Sequence, residues 1–272
     1  MMNSKQNLHT HTTYCDGKHN MREIIEIALN KGFGSLGFSE HSYMYFAPER
    51  SMSLEDTVKY KAEIKALKEE YKDRIKIYCG LEVEMYSQID LSDYDYLIGD
   101  SHFLNIDGEL IGFDRPLDTV KDIIKRYFNG NGMDFALNYW KSLATLPEHG
   151  NFDIIGHIDL ITKHLEKEPL FDTEDIRYKK AALEAIDALN GKIPFFEVNT
   201  GVIARGYRHT PYPSPFLLKE LCQRGFKAVI TSDCHNAEML DTGFDLAREL
   251  LTECGFKERY ILTDSGFEAV EI

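Results

Sequence analysis

Residues 7–20 read NLHTHTTYCDGKHN, and the run that carries His9 and His11 decides how the rest of the chain is understood. In an extended strand, side chains alternate faces, so residues i and i+2 point the same way. His9 and His11 therefore aim two imidazoles at one point. A metal ion is one reason to place them so, and a pair of surface histidines is the other. These residues alone do not choose between the two.

The remaining 258 or so residues (roughly, by difference from a chain of 272) supply the context through a recurring rhythm in which a short apolar run ends in a polar residue and a helical pattern follows. The apolar runs are NLHTH, GSLGFSEH, IKIYCGLEVE, YDYLIGDSHF, FDIIGHIDL, IPFFEVNT and KAVITSDCH. Most are nearly continuous in apolar residues, as expected of strands covered on both faces of a parallel sheet. Helical patterns start at Met21, Ser53, Leu117, Phe135, Thr173, Ser214 and Leu240, and Ser53 with Asp56 makes a good N-terminal signal for the second. Strands alternating with helices imply an α/β fold with βαβ crossovers. Seven strands in one chain of this length fit a closed or nearly closed barrel, with a doubly wound open sheet as the alternative. Residues 1–272 are read as one barrel domain. The stretch from Asn105 to Pro147 shows two helical patterns and no convincing strand, and reads as an enlarged connection over the barrel mouth.

Composition narrows the function classes. The formal charge of −14 repels phosphate backbones and argues against a general nucleic-acid binder. The five cysteines are scattered, with no C-x-x-C pair, so neither a disulfide framework nor a thiolate zinc site is expected. No apolar run is long enough to span a membrane, and the first residues lack the basic-then-apolar pattern of a secretion signal, so the expected compartment is the cytoplasm.

In barrel enzymes the chemistry gathers at the C-terminal ends of the strands. In this chain those ends supply His9 and His11 with Asp16 just beyond; Glu40 and His41; Glu82 and Glu84; Asp100 and His102; His157 and Asp159; Glu197 and Asn199; Asp233 and His235. Six of the ten histidines fall there, while His19, His149, His164 and His209 lie in loops or helix flanks, where solvated side chains are expected. Imidazole and carboxylate without thiolate suit zinc, iron or manganese, and the number of donors is too large for one ion.

The ordered set HTHT, CDG, GFSEH, GLEVE, DSHF, IGHID, EVNTG and TSDCH resembles the polymerase and histidinol phosphatase (PHP) superfamily, and within it the monofunctional histidinol-phosphate phosphatases. The resemblance spans essentially the whole chain. It implies a distorted (β/α)7 TIM-like barrel with three divalent metal ions at the strand ends. Carried over by position, His9, His11, Glu82 and Asp233 hold one ion. Glu82 bridges to a second, completed by His102 and His157, and Asp16, His41 and His235 hold the third. Many relatives place a histidine near the position of Asp16, and the acid here resembles the phosphatase branch. Glu40, Glu84, Asp100 and Asp159 are expected to support the ligands rather than join them.

The implied activity is metal-dependent hydrolysis of L-histidinol phosphate in histidine biosynthesis, a phosphoric monoester hydrolase reaction. Its catalytic residues are Glu82, Asp233, His235 and Arg205. The loop after the sixth strand carries Arg205, Arg208 and His209, and Arg205 is the first choice for a phosphate-binding guanidinium. Lys163 is a second cation candidate. Tyr43, Tyr45 and Phe46 offer faces for the substrate's imidazole, with Glu49 for its ammonium, though all three aromatics equally suit ordinary packing. The expected partner is a small-molecule phosphate ester, with no nucleic acid or membrane and with the oligomeric state left open. The alternatives are a phosphoesterase of the same superfamily acting on nucleotides or phosphotyrosine, and a non-catalytic metal-binding module.

Overall fold

The computed structural model describes residues 4–272. Seven parallel strands form one sheet in chain order: β1 (Gln6–Asn7), β2 (Ser35–Phe38), β3 (Lys76–Glu84), β4 (Tyr96–Asp100), β7 (Ile154–Ile155), β8 (Phe195–Asn199) and β9 (Lys227–Thr231). β1 and β9 are joined at the rim, where Thr10 pairs with Cys234: the Cys234 amide donates to the His9 carbonyl (3.0 Å) and the His11 amide to the Cys234 carbonyl (2.9 Å). The sheet is thus a nearly closed barrel, and the open-sheet alternative falls.

The helices expected from the periodicity are present as α1 (Met21–Asn30), α2 (Leu54–Glu70), α3 (Leu117–Tyr127), α4 (Gly132–Leu143), α5 (Ile176–Leu189), α7 (Pro215–Gln223) and α8 (Phe244–Glu253). A further short turn of helix, α6 (Gly201–Ala204), follows β8. Ser53 caps α2 by accepting from the Asp56 amide at 3.0 Å, and Asn20 with Glu23 forms a reciprocal capping box on α1. The helices pack on the outward face of the strands. Leu36, Phe38, Leu81, Val83, Phe196, Val198 and Ile230 point into that outer layer, together with Trp140 from α4 and Leu217 from α7.

A second, separate core fills the barrel itself: Leu8, Tyr78, Tyr96, Ile98, Ile154, Phe195, Val229 and Leu262. Strand alternation produces it. In β3, Tyr78 and Gly80 face inward low in the barrel, and Glu82 and Glu84 follow on the same side at the rim. Tyr96 fills the space over Gly80 and Gly37, and its hydroxyl donates to the Leu8 carbonyl and, at 3.2 Å, to that of Phe38. The floor of polar groups above therefore rests on an apolar plug.

Two hairpins depart from the expectation. Asn105–Pro147 does contain strand: β5 (Phe103–Ile106) pairs antiparallel with β6 (Glu109–Gly112) before α3 and α4 begin. The DSHF run is accordingly split, β4 ending at Asp100. A C-terminal hairpin, β10 (Glu258–Thr263) and β11 (Gly266–Glu271), closes the bottom of the barrel. There Gln6 exchanges side-chain hydrogen bonds with the backbone of Leu262, and Phe267 stacks on Phe195 at 4.2 Å. Among the described residues no helix is long and apolar enough to cross a membrane.

A Cβ placed on Gly80 would lie 2.1 Å from the Tyr96 ring. Gly80→Ala is expected to destabilise the fold by about 1–3 kcal/mol through overpacking of the plug, read as a lowered Tm in thermal unfolding.

Candidate metal centre

The rim residues are set by backbone pairings that continue the ladders past the regular strands. His41 pairs with Glu82, the Glu82 amide donating to the Glu40 carbonyl at 3.0 Å and the Ser42 amide to the Glu82 carbonyl at 2.8 Å. On the first strand, regular pairing ends at Asn7, so His9 and His11 stand on its extension, held by the Cys234 bridge. The ring centroids of His9 and His11 are 5.1 Å apart. Asp16 arrives through a tight loop in which the Gly17 amide donates to the Thr12 carbonyl. A Cβ on Gly17 would lie 2.4 Å from the His11 carbonyl oxygen, so this approach needs glycine. Asp233 sits at φ +44°, a left-handed conformation that aspartate tolerates better than most residues.

All nine expected metal ligands converge, with Glu82 at their centre. Its Oε1 lies 3.1 Å from His9 Nε2, 3.0 Å from His157 Nε2 and 3.7 Å from His102 Nε2; its Oε2 lies 2.6 Å from His41 Nδ1 and 3.4 Å from His11 Nε2. Asp233 Oδ1 is 3.3 Å from His11 Nε2 and 3.7 Å from His9 Nε2. Asp16 Oδ1 is 3.2 Å from His235 Nε2 and 3.7 Å from His41 Nε2. Four donor groups result among the described residues, each with its atoms within 4.8 Å of one another: His9, His11 and Asp233; Glu82, Asp100, His102 and His157; His11, Asp16, His41 and His235; and, behind His11, a group of His11, Cys15 and Glu40. Asp100 lies within reach of the second group and also stands 3.2 Å from His102 Nδ1, the place of a supporting carboxylate.

Electrostatics favours the ligand form of Glu82, Asp233 and His11. Burial works to raise the Glu82 pKa, but His41, His9 and His157 outweigh it and hold the carboxyl well below the usual range. Burial likewise opposes the Asp233 carboxylate, and Arg205, His9 and His11 overcome it. Burial, reinforced by His235 and His41, lowers His11 to about 3, leaving a neutral imidazole. Four other histidines go the opposite way: burial would lower them, yet Glu197, Glu82 and Asp233 hold the His9 pKa well above the ordinary value, Glu82 and Asp16 push His41 up to about 10, Asp100 and Glu84 raise His102, and Glu82 raises His157. Buried His9 Nε2, His11 Nε2, Glu82 Oε2 and both Asp100 carboxylate oxygens lack a well-directed hydrogen bond. Unpartnered, buried nitrogen and oxygen donors aimed at a common centre are what divalent cations require and what a metal-free core avoids.

Carboxylates behind the centre orient the rings. His9 Nδ1 bonds Glu197 Oε2 at 2.8 Å, and Glu197 is itself held by the His157 amide, Asn199 and Thr231. His102 Nδ1 lies 3.2 Å from Asp100 and 3.5 Å from Glu84. Glu40 accepts from the Thr12 amide and the Cys15 thiol. Asp159 lies outside these donor groups and accepts from the Ser214 amide.

A cavity of about 180 Å³ opens onto this centre, lined by the donor residues Asp16, His41, Glu82, His102, Asp233 and His235 and also by Arg50, Asp114, Lys163, Arg205 and Tyr207. Arg205 Nη2 pairs with Asp233 Oδ2 at 2.8 Å, and its Nη1 donates to the Asp233 carbonyl at 3.0 Å. Arg208 and His209 do not reach the cavity. The Arg208 guanidinium is buried under the loop on Thr162 and Thr210, over the Tyr212 ring, and the His209 ring points to solvent against Glu166. Tyr43, Tyr45 and Phe46 also stay out of the cavity wall; Phe46 packs edge-on against Phe103 and Tyr45, and Tyr45 is exposed. His164 is buried rather than solvated, because the chain after β7 tucks it beneath the enlarged connection, where it meets the Arg115 carbonyl at 2.8 Å and the edge of Tyr207. Sequence reasoning missed Arg50, Asp114 and Tyr207. Arg50 follows Glu49, already a candidate, but Asp114 lies at the end of a hairpin that no periodicity signalled.

The family profile described as "PHP domain" matches residues 7–201. A "Probable histidinol-phosphatase" of Deinococcus radiodurans is 32% identical, covering 84% of this chain and 85% of that protein. A "Histidinol-phosphatase" of Bacillus subtilis is 28% identical, covering 86% of this chain and 94% of that protein. Among solved structures, the histidinol phosphate phosphatase of Lactococcus lactis, crystallised with zinc, L-histidinol and phosphate, superposes with a TM-score of 0.73 at 21% identity, covering 97% of this chain and 99% of that one. Profile, relatives and fold agree, and the chain belongs to the PHP domain family.

Proposed function

We propose that the protein hydrolyses L-histidinol phosphate to L-histidinol and phosphate in a metal-dependent reaction. The observation that carries this is the cluster of imidazole and carboxylate donors around Glu82, several of them buried without a well-directed hydrogen bond, opening onto a cavity that Arg50, Lys163 and Arg205 also line. The activity of the relatives and the ligands of the Lactococcus protein support the substrate.

His9, His11, Glu82 and Asp233 would hold one ion, Glu82, His102 and His157 a second, and Asp16, His41 and His235 a third. Asp100 is a further donor beside the second group. When bound, divalent ions there supply a hydroxide nucleophile near neutral pH and Lewis-acid stabilisation of the phosphoryl oxygens. The chain supplies the rest. Glu197 fixes the His9 ring, so that Nε2 faces Glu82 and Asp233. Arg205, held in place by the Asp233 side chain and carbonyl, offers a planar guanidinium to phosphoryl oxygens entering the cavity. As the ester P–O bond breaks, the alkoxide takes a proton by way of Asp233 or His235 and leaves as the alcohol.

L-histidinol phosphate is expected to exceed nucleoside monophosphates and phosphotyrosine in kcat/KM by at least about 100-fold, or roughly 2.7 kcal/mol. Equal, slow turnover of the whole panel would refute the assignment. Glu82→Ala is expected to lose bound metal, read by elemental analysis, and to lower turnover by ~10³ or more, since one carboxylate serves two ions. Arg205→Ala is expected to raise KM and lower kcat, with kcat/KM falling by ~10²–10³ while metal content stays intact; wild-type kinetics in that variant would remove Arg205 from the site.

A further inference from the structure

The enlarged connection after β4 delivers one carboxylate into the cavity, and that carboxylate is surrounded by cations from other loops. The Phe113 amide donates to the His102 carbonyl at 3.0 Å, which ties the end of the β5–β6 hairpin to the metal rim and brings the next residue, Asp114, inward. Lys163, from the loop after β7, places its Nζ 2.6 Å from Asp114 Oδ1. Arg50, from the loop after β2, places Nη2 3.7 Å from Asp114 Oδ2, with Nη1 3.5 Å from the Asp114 carbonyl. The Lys163 ammonium also lies 4.5 Å from the centre of the Tyr207 ring. All four side chains line the same cavity as Arg205, Glu82 and His102.

Two cations and one anion leave this wall with a net positive charge. A lysine or arginine head on a flexible stem otherwise spreads over many rotamers and turns toward bulk water, and ordering it costs side-chain entropy. We propose that Asp114 is a positioning residue, holding Arg50 and Lys163 as a cationic wall that completes the phosphate-binding side of the cavity begun by Arg205. Burial would raise its pKa, but Lys163, His102 and Arg50 keep the carboxyl well below the usual range, so the anchor stays ionised. The inference rests on the phosphatase reading and adds the function of the insertion: the segment between β4 and β7 orders cations contributed by loops on either side of it.

The sign of one substitution separates this role from its rivals. Inorganic phosphate is titrated by calorimetry into the zinc-loaded protein, and L-histidinol phosphate kinetics are recorded in parallel. Asp114→Asn is expected to weaken phosphate binding at least about tenfold and to raise KM by a similar factor, with kcat changed less and metal content unchanged; Asp114→Glu is expected to recover part of the loss. Tighter phosphate binding in Asp114→Asn would show that the acid merely neutralises the cations, and would overturn the proposal. Unchanged phosphate binding with a raised KM would instead make Asp114 a receptor for the substrate's ammonium, and would overturn it too. Should Asp114→Asn fail to fold, Arg50→Ala and Lys163→Ala carry the test, and wild-type phosphate affinity in both would overturn the proposal. Phosphate binding that depends on Asp114 in a protein inactive on L-histidinol phosphate would sink the substrate assignment and leave the role of Asp114 standing.

Discussion

The Glu82 carboxylate, almost wholly removed from water, is the constraint around which the molecule is arranged. Burying an ionised carboxylate costs several kcal/mol unless cationic or hydrogen-bonding partners surround it. Five imidazoles do so here, three toward one oxygen and two toward the other. They come from four different strand ends or their extensions, so the carboxylate can be satisfied only when the barrel is assembled in register. A one-residue slip in β3 would turn Glu82 toward the helices and Leu81 or Val83 toward the metal rim. The apolar plug beneath, centred on Tyr96 packed over two glycines, sets the height at which the polar rim begins.

Much of this was legible in the sequence because parallel strands buried on both faces leave a simple trace: a near-continuous apolar run that ends where the chain reaches the rim. The histidines and acids at those ends could be read off directly, and all nine expected ligands meet in space. The Ser53 cap was equally local in origin. What escaped was structure whose pattern is short or two-sided. The β5–β6 hairpin is half exposed and short, and sits between the buried run of β4 and the first of two strong helical signals, so its alternation was lost beside them. The closing hairpin gains its place from pairing with Gln6 and stacking on Phe195, contacts between opposite ends of the chain that no window of neighbouring residues contains.

The substrate side of the site was the least legible for the same reason. Ligand residues are fixed by strand register, whereas Arg50, Asp114, Lys163 and Tyr207 are brought together by loops. Aromatic residues after β2 suggested a stacking surface, but Phe46 is used to dock the loop onto Phe103, leaving the cavity wall to charged side chains. Arg208 and Arg205 are three residues apart and equally basic. Only the local turn decides that one supports the loop over Tyr212 while the other faces the metal rim.

The hydrogen bonds between Cys234 and the backbone of His9 and His11 join the two ends of the sheet and also lock Asp233 and His235 beside the first two histidines. Donors that must cooperate are thus separated by more than two hundred residues of chain. During synthesis the amino-terminal histidines emerge long before their carboxy-terminal counterparts, and the cage is completed only when the last barrel strand docks. The donor cage is in this way closed only once translation has passed the final strand, and a fragment ending before Asp233 lacks two of its nine members, Asp233 and His235.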